Sequence, residues 1–362
     1  MKRILVINPG STSTKVAIFE DEKSIVEETI EHNIYEIERC EKIMDQLPFR
    51  KKAILNFLKK HNISIDELNA IAARGGILPP LKSGTYLVNE SMVEYLKNHS
   101  KLEHASNLAA VIAYELSANS LNKPPVYITD PISVDEFIPE SRISGIPNLE
   151  RNSLFHALNM KMVARFAAKE LNKNYYDCNF VITHLGGGIS VGAQRKGMMI
   201  DVNNASDEGP FSAQRSGELP MGDLLKWIFK NKEQFSKNAM KARYVGKGGL
   251  FAYLGTSSLR DALLQAEHDN YTKLIVEAMA YQISKEIGAM AAILGGNIDA
   301  IIITGGMAQS NYFVDMIKKR IFKLGLIMVY PGAYEMQGLA NGALRILNNE
   351  EKVLEWEGEK IL

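Results

Sequence analysis

The chain has 362 residues, more than one ordinary core accommodates, so two domains are expected. Hydrophobic residues make up 46% and charged residues 23%, and a formal net charge of +0 excludes a nucleic-acid surface or an anionic-membrane binder. Cys40 and Cys178 are too few for a disulfide framework or a zinc site. The Met1–Ile7 start is too short for a signal-peptide core and no apolar run approaches a membrane span, so a cytoplasmic location is expected.

Ile4 to Ile7 form an unbroken apolar run, the pattern of a strand buried on both faces. Asn8-Pro9-Gly10 breaks it, and Val16 to Phe19 resume the β pattern, which predicts a hairpin. Its turn holds Ser11, Thr12, Ser13, Thr14 and Lys15, whose hydroxyls, N–H groups and cation suit an anion. An ordinary Ser/Thr-rich hairpin would read the same way. The Walker spacing is absent here and at Gly246-Lys247, which Gly248 follows. A Rossmann fingerprint would need a helix where a second strand comes next.

Ser24–Ile30 reads as a third strand, and helical periodicity runs from about Ile37 to Lys60 with an interruption near Pro48. Ser64 with Glu67 forms a capping box. Ala70–Ala73 is a small-residue strand ending in Arg74-Gly75-Gly76. Asn89 caps a helix through Lys97, and Ser106 opens another to about Leu121. Strand Val126–Thr129 delivers Asp130 at its C-terminal end. A long helix from Ser153 to Leu171 is the connector between halves. The opening pattern then returns as strand Asn179–Thr183, the glycine turn His184–Gly188, and strands Ile189–Ala193 and Gly197–Val202. Strand, small-residue turn, strand, strand occurs twice, which suggests two similarly folded domains facing each other. Helices are predicted at Met221–Phe229, Ser258–Glu267 and Tyr271–Leu294. Strand Ile298–Thr304 ends in Gly305-Gly306-Met307, and helix Asn311–Leu324, strand Ile327–Tyr330 and a last helix from Glu335 to about Leu347 follow.

With both halves in view, the chain resembles the acetate kinase family of the acetate and sugar kinase, heat-shock chaperone and actin superfamily, and within it the butyrate kinases. VINPGSTSTK matches the family's first phosphate motif, THLGGGISVG its second and ITGGMA its adenosine motif, in that order along nearly the whole chain. The resemblance implies an α/β fold of two ribonuclease-H-like (actin-like ATPase) domains with a nucleotide cleft between them. These would span residues 1–150 and 151–334, with a C-terminal helix over about 335–362 packing back on the first. It also implies ATP/ADP and Mg²⁺, a small-molecule carboxylate as partner, no nucleic acid or membrane, and a homodimer or higher homo-oligomer.

Phosphoryl transfer needs in-line positioning and neutralisation of charge on the equatorial oxygens. Asp130, at a strand end before Pro131, and Glu335, after the Pro331-Gly332 break, would otherwise read as solvated charges. The resemblance makes them catalytic carboxylates that hold Mg²⁺ mainly through water. Arg74 and Arg215, the latter within DEGPFSAQRSG, match the family's two active-site arginines, whose fork binds carboxylate or phosphoryl oxygens bidentately. Their alternative is a surface ion pair. His156 resembles the family histidine that donates to the transferring phosphoryl group; the alternative is a satisfied histidine on a connector helix. His184 also matches a family histidine and reads equally as structural, while His104 matches weakly.

Asn8, Ser11, Ser13 and Lys15 match the first phosphate turn, with Asn8 also among the catalytic residues. Gly186, Gly187 and Gly188 would let N–H groups approach phosphate, although acetate kinases carry an asparagine at Gly187. Gly305, Gly306 and Met307 resemble the adenosine wall, and Arg260 an arginine near the base and ribose, with Ser258 replacing the family's aspartate. For the acyl pocket, Gly76 stands where acetate kinases have valine, Ser206 where they have proline, and Phe155 keeps the aromatic. Two shrunken walls would admit extra methylenes, each worth roughly 0.8 kcal/mol, and favour butyrate or a branched C4–C5 acid such as isobutyrate. Acetate or propionate kinase is the rival within the class. An ATP-switched actin- or chaperone-like binding protein is the rival outside it.

Overall fold

In the computed structural model, residues 1–100, 102–233 and 236–358 are described. In chain order the first elements are β1 (Arg3–Pro9), β2 (Ser13–Glu20), β3 (Lys23–Glu31), α1 (Ile34–Glu38), α2 (Leu47–Lys60), β4 (Ala70–Ala73), β5 (Thr85–Leu87), α3 (Glu90–Asn98), α4 (Asn107–Ala118) and β6 (Val126–Thr129). Then come α5 (Pro139–Arg142), α6 (Ala157–Glu170), β7 (Asn179–Leu185), β8 (Ile189–Arg195), β9 (Met198–Val202), α7 (Met221–Asn231), α8 (Lys237–Tyr244), α9 (Gly249–Leu254), α10 (Leu259–Ala266), α11 (Asn270–Ile293), β10 (Ala300–Gly305), α12 (Asn311–Ile321) and β11 (Ile327–Pro331). α13 (Glu335–Leu347) and β12 (Leu354–Glu355) follow. Two compact units result: Met1–Val134 with the chain from Tyr334 onward, and Asp135–Ala333.

The first unit holds a seven-stranded sheet in the order β12-β5-β6-β4-β1-β2-β3, and the second a five-stranded sheet in the order β11-β10-β7-β8-β9. Their central topology is the same. An antiparallel three-strand meander (β1-β2-β3, β7-β8-β9) is extended on the far side of its first strand by two parallel strands (β4 and β6, β10 and β11). β1 owes its central place to its apolar run, since Ile4, Leu5, Val6 and Ile7 are completely buried. α13 lies on this first sheet, where Gly342 approaches so closely that a Cβ there would fall 2.0 Å from Thr129 Oγ1. Among the described residues, no helix is long and apolar enough to cross a membrane.

Several boundaries differ from the sequence reading. Pro48 sits in the first turn of α2, so it starts that helix instead of interrupting one; its missing N–H costs nothing there. The connector helix begins at Ala157, not Ser153, because Leu154 O accepts from Ala205 N (2.9 Å) and holds the preceding chain extended. The chain leaves the first unit at Val134 and not near residue 150. Ile138 N and Ser141 Oγ both donate to Ile200 O on β9, at 3.2 and 2.9 Å, and draw this segment to the second sheet. The last helix stops at Leu347; β12 then pairs with β5, and residues 359–362 lie outside the described residues.

Candidate active site

In the first unit, the parallel strands β1, β4 and β6 end on one edge of the sheet, the edge where open α/β sheets bind ligands. Asn8 lies near the end of β1, Arg74 directly follows β4, and Asp130 directly follows β6. Arg74 Nη1 donates to Glu335 Oε2 at 2.6 Å, and Asn8 Nδ2 donates to the same oxygen at 3.0 Å. Three sequence-predicted residues more than 250 positions apart at the extremes thus meet, because α13 starts at Glu335 above the strand ends. Asp130 is buried with φ +39, a left-handed conformation uncommon outside glycine, and its Oδ1 accepts from Gly84 N at 2.8 Å. A strained backbone carrying a buried carboxylate is a frequent feature of functional sites. Among the described residues no three His, Cys, Asp or Glu side chains converge as a metal cage.

Ser11 and Ser13 lie in the β1–β2 turn, closed by Gly10 N donating to Ser13 O at 2.8 Å, while exposed Lys15 stands on β2 opposite Asn8. Gly76 requires a correction. A Cβ there would lie 2.6 Å from Leu96 Cδ2 and 2.8 Å from Asn107 Oδ1, so the space expected from the missing side chain is filled. The glycine permits α3 and α4 to approach; it does not open a wall.

In the second unit, the Gly186–Gly188 turn between β7 and β8 is packed by specific side chains. A Cβ at Gly186 would lie 2.9 Å from His184 Nε2, and one at Gly188 2.5 Å from Arg215 Nη1, so the guanidinium rests directly on the turn. Gly187 O accepts from Ser212 Oγ at 2.6 Å. Gln214 Oε1 lies 3.2 Å from where a Gly187 Cβ would be, close to the room an asparagine there would need. Arg215 donates to Ala205 O, and burial pulls its pKa below the ordinary arginine value. Among the described residues no carboxylate pairs with it.

His184 and His156 stack, with ring centroids 3.9 Å apart and planes 12° from parallel. Asn159 Nδ2 lies 2.8 Å from His184 Nδ1, and the ring's Nε2 faces the glycine turn. His156 Nδ1 is 2.9 Å from Ser190 Oγ at the N-terminus of α6. Phe155 is buried, and its neighbour Leu154 accepts through O from Ala205 N, whose own carbonyl Arg215 grips; Ser206 follows Ala205 in the chain. Gly305 ends β10, Gly306 and Met307 form the 3-10 turn after it, and Arg260 is exposed on the first turn of α10. Ser258 caps α10 by accepting from Asp261 N at 3.2 Å, a structural use for a residue where the family's aspartate is missing.

A model of the acetokinase family matches residues 3–330. The chain belongs to the acetokinase family. It is 51% identical over 98% of its length to the probable butyrate kinase 1 of Thermotoga maritima, of which 99% is covered. The crystal structure of Porphyromonas gingivalis acetate kinase superposes with a TM-score of 0.77 at 18% identity, covering 96% of this chain and all of that one. A propionate kinase from Francisella tularensis gives 0.75 at 20%, covering 94% and 99%. These two likenesses show the shared actin-like fold. As an acetokinase-family enzyme, the chain is a kinase that phosphorylates a carboxylate at the expense of ATP.

The sequence reading of this acetokinase-family chain missed Ser212, Gln214 and Asn159, polar residues whose partners are distant in the chain. It also missed a pair behind the first turn, buried Arg50 on α2 and half-buried His32 after β3. His32 Nε2 lies 2.8 Å from Thr14 Oγ1, and burial, then the Arg50 charge, push its pKa down to about 4. The folded state therefore holds His32 neutral at a pH where the unfolded chain, near 6.5, already binds a proton. Stability is full above 6.5 and falls as pH drops toward 4. Melting scans at pH 7 and 4.5 should show a smaller acid loss in His32→Asn than in the wild type; an equal loss would assign the effect to other groups.

Proposed function

We propose that the protein converts butyrate, or a branched C4–C5 acid such as isobutyrate, and ATP to ADP and an acyl phosphate, reversibly and by direct in-line transfer. The observation that carries this reading is the anion cradle of the second unit: a turn of three glycines backed by a half-buried arginine with no carboxylate partner among the described residues. Such a cation is costly until an anion arrives, so it favours a phosphoryl group over water. The acid is already ionised at neutral pH, so no strong general base is required and catalysis is positioning and electrostatics.

In this reading Arg74, Arg215 and His156 carry the charge of the transferring group, and Asn8 with Glu335 fixes the Arg74 fork. Gly186–Gly188 and His184, with Ser11, Ser13 and Lys15, offer donors to the phosphates, and Gly305–Met307 with Arg260 receives the adenosine. Asp130 and Glu335 would hold Mg²⁺ through water, and the ion would supply neutralisation of the phosphate charge. Phe155 and Ser206 line the acyl chain. A cytoplasmic location and a homodimeric or larger assembly complete the proposal. The preference for four or five carbons is supported by the Thermotoga maritima relative, not by Gly76.

The test is acyl-phosphate formation with acetate, propionate, butyrate, isobutyrate and valerate. A kcat/KM maximum at four or five carbons is expected. A maximum at acetate would overturn the chain-length assignment, and ATP turnover independent of any acid would overturn the kinase reading.

A further inference from the structure

Arg50 is the largest fully buried side chain in the protein, and its surroundings are unusual for a buried charge. Nη2 donates to Ser11 O at 2.9 Å, Nη1 to Ser13 O at 2.9 Å and Thr14 Oγ1 at 3.0 Å, and Nε to Gln46 Oε1 at 3.0 Å. All four acceptors are uncharged, and among the described residues no carboxylate pairs with the guanidinium. Burial lowers its pKa to about 10, so it remains a cation at neutral pH. Buried charges ordinarily find a counter-ion.

The acceptors explain what the fork does to the chain above it. A trans peptide is planar, with C=O and N–H pointing in opposite directions. With Ser11 O turned down onto Arg50, the N–H of Thr12 must point away from it. Thr12 O is likewise committed, accepting from His32 N at 2.9 Å, so the turn is pinned from both sides. Ser13 O is held by the same fork, so two carbonyls of the turn, Ser11 O and Ser13 O, are fixed by one buried cation. The missing counter-ion has the same direction as the Thr12 N–H: the side of the turn opposite the fork is where negative charge would be favoured.

We infer that Arg50 is a positioning residue for nucleotide polyphosphate: it holds the Ser11 and Ser13 carbonyls, and with them the shape of the Ser11–Thr14 turn, and supplies an uncompensated positive charge beneath it. This rests on the kinase reading above and adds to it a residue on α2 that acts through the turn without touching substrate.

The experiment compares wild type, Arg50→Met and Arg50→Lys by calorimetric ADP binding, by KM for ATP and for butyrate, and by thermal melting. Arg50→Met is expected to weaken ADP binding at least tenfold and raise KM for ATP similarly, with KM for butyrate within twofold. Arg50→Lys, which keeps charge but not the fork, should recover part of that loss. A purely structural role would lower the melting point alone, and a folded Arg50→Met that binds ADP like wild type overturns the inference. Should Arg50→Met not fold, Thr14→Val decides, since it removes one acceptor only: a threefold or greater rise in ADP Kd supports the role, and an unchanged Kd overturns it. Failure of the wild type to bind ADP would strike at the kinase reading itself, whereas intact wild-type binding with unaffected variants removes only Arg50.

Discussion

Arg215→Ala is expected to lower kcat with ATP and butyrate by about 10³-fold, or about 4 kcal/mol of transition-state stabilisation, while the protein melts at or above the wild-type temperature. The two halves of this result have one cause. The guanidinium is half-buried against Gly188 and makes a hydrogen bond to Ala205 O, but it meets no carboxylate among the described residues. Its desolvation is therefore uncompensated in the free protein, and removing it relieves the native state. The same cation gains most when a phosphoryl group brings negative charge to the glycine turn, so its loss falls on catalysis. Arg215→Lys should remain impaired by at least tenfold, because a point charge on a flexible stem cannot reproduce a fork laid flat on the turn. Steady-state kinetics beside differential scanning calorimetry checks both halves. Wild-type kcat in Arg215→Ala would take the residue out of the mechanism, and a large drop in melting temperature would make it structural.

Gly305→Ala is expected to destabilise the second unit by about 3–5 kcal/mol and to lower its melting temperature by about 6–10 °C. Gly305 has φ +97, and a Cβ there would lie 2.3 Å from Leu185 O and 2.6 Å from Leu185 N, which no side-chain rotation can relieve because both are backbone. The cause is the sheet itself. β7 and β10 end side by side, and Gly305 is further fixed by paired hydrogen bonds with Gly332, at 3.0 and 2.9 Å. Gly306 is the control, since a Cβ there meets nothing within 4 Å. Gly306→Ala should change stability by no more than about 0.5 kcal/mol and, if the adenosine wall is as proposed, weaken ADP binding instead. Equal stability loss in both variants would refute this division of labour.

These two glycines show how the candidate site divides between what is local in the chain and what is not. Both were legible as parts of one motif, ITGGMA, yet only the meeting of β7 with β10 separates the one demanded by the fold from the one with open space around it. The same holds at Gly76, whose missing side chain suggested room and whose neighbours Leu96 and Asn107, contributed by two helices, fill it. Arg50 carried no signal at all, because a lysine- and arginine-rich helix reads as a solvated one until its burial under the first turn is known.

By itself the sequence determined the repeated strand–turn–strand–strand pattern, the strand ends carrying Asn8, Arg74 and Asp130, the start of the last helix at Glu335 and the family resemblance. Each of these rests on backbone preference or on residues close together along the chain, which act before any tertiary contact forms. Only the tertiary structure decided that Glu335 meets Arg74 and Asn8, that Arg215 lies on Gly188, that His156 stacks on His184, and that the connector helix waits until Ala157. Those are long-range packing and desolvation effects, fixed by which surfaces exclude water from one another, and no spacing along the chain encodes them.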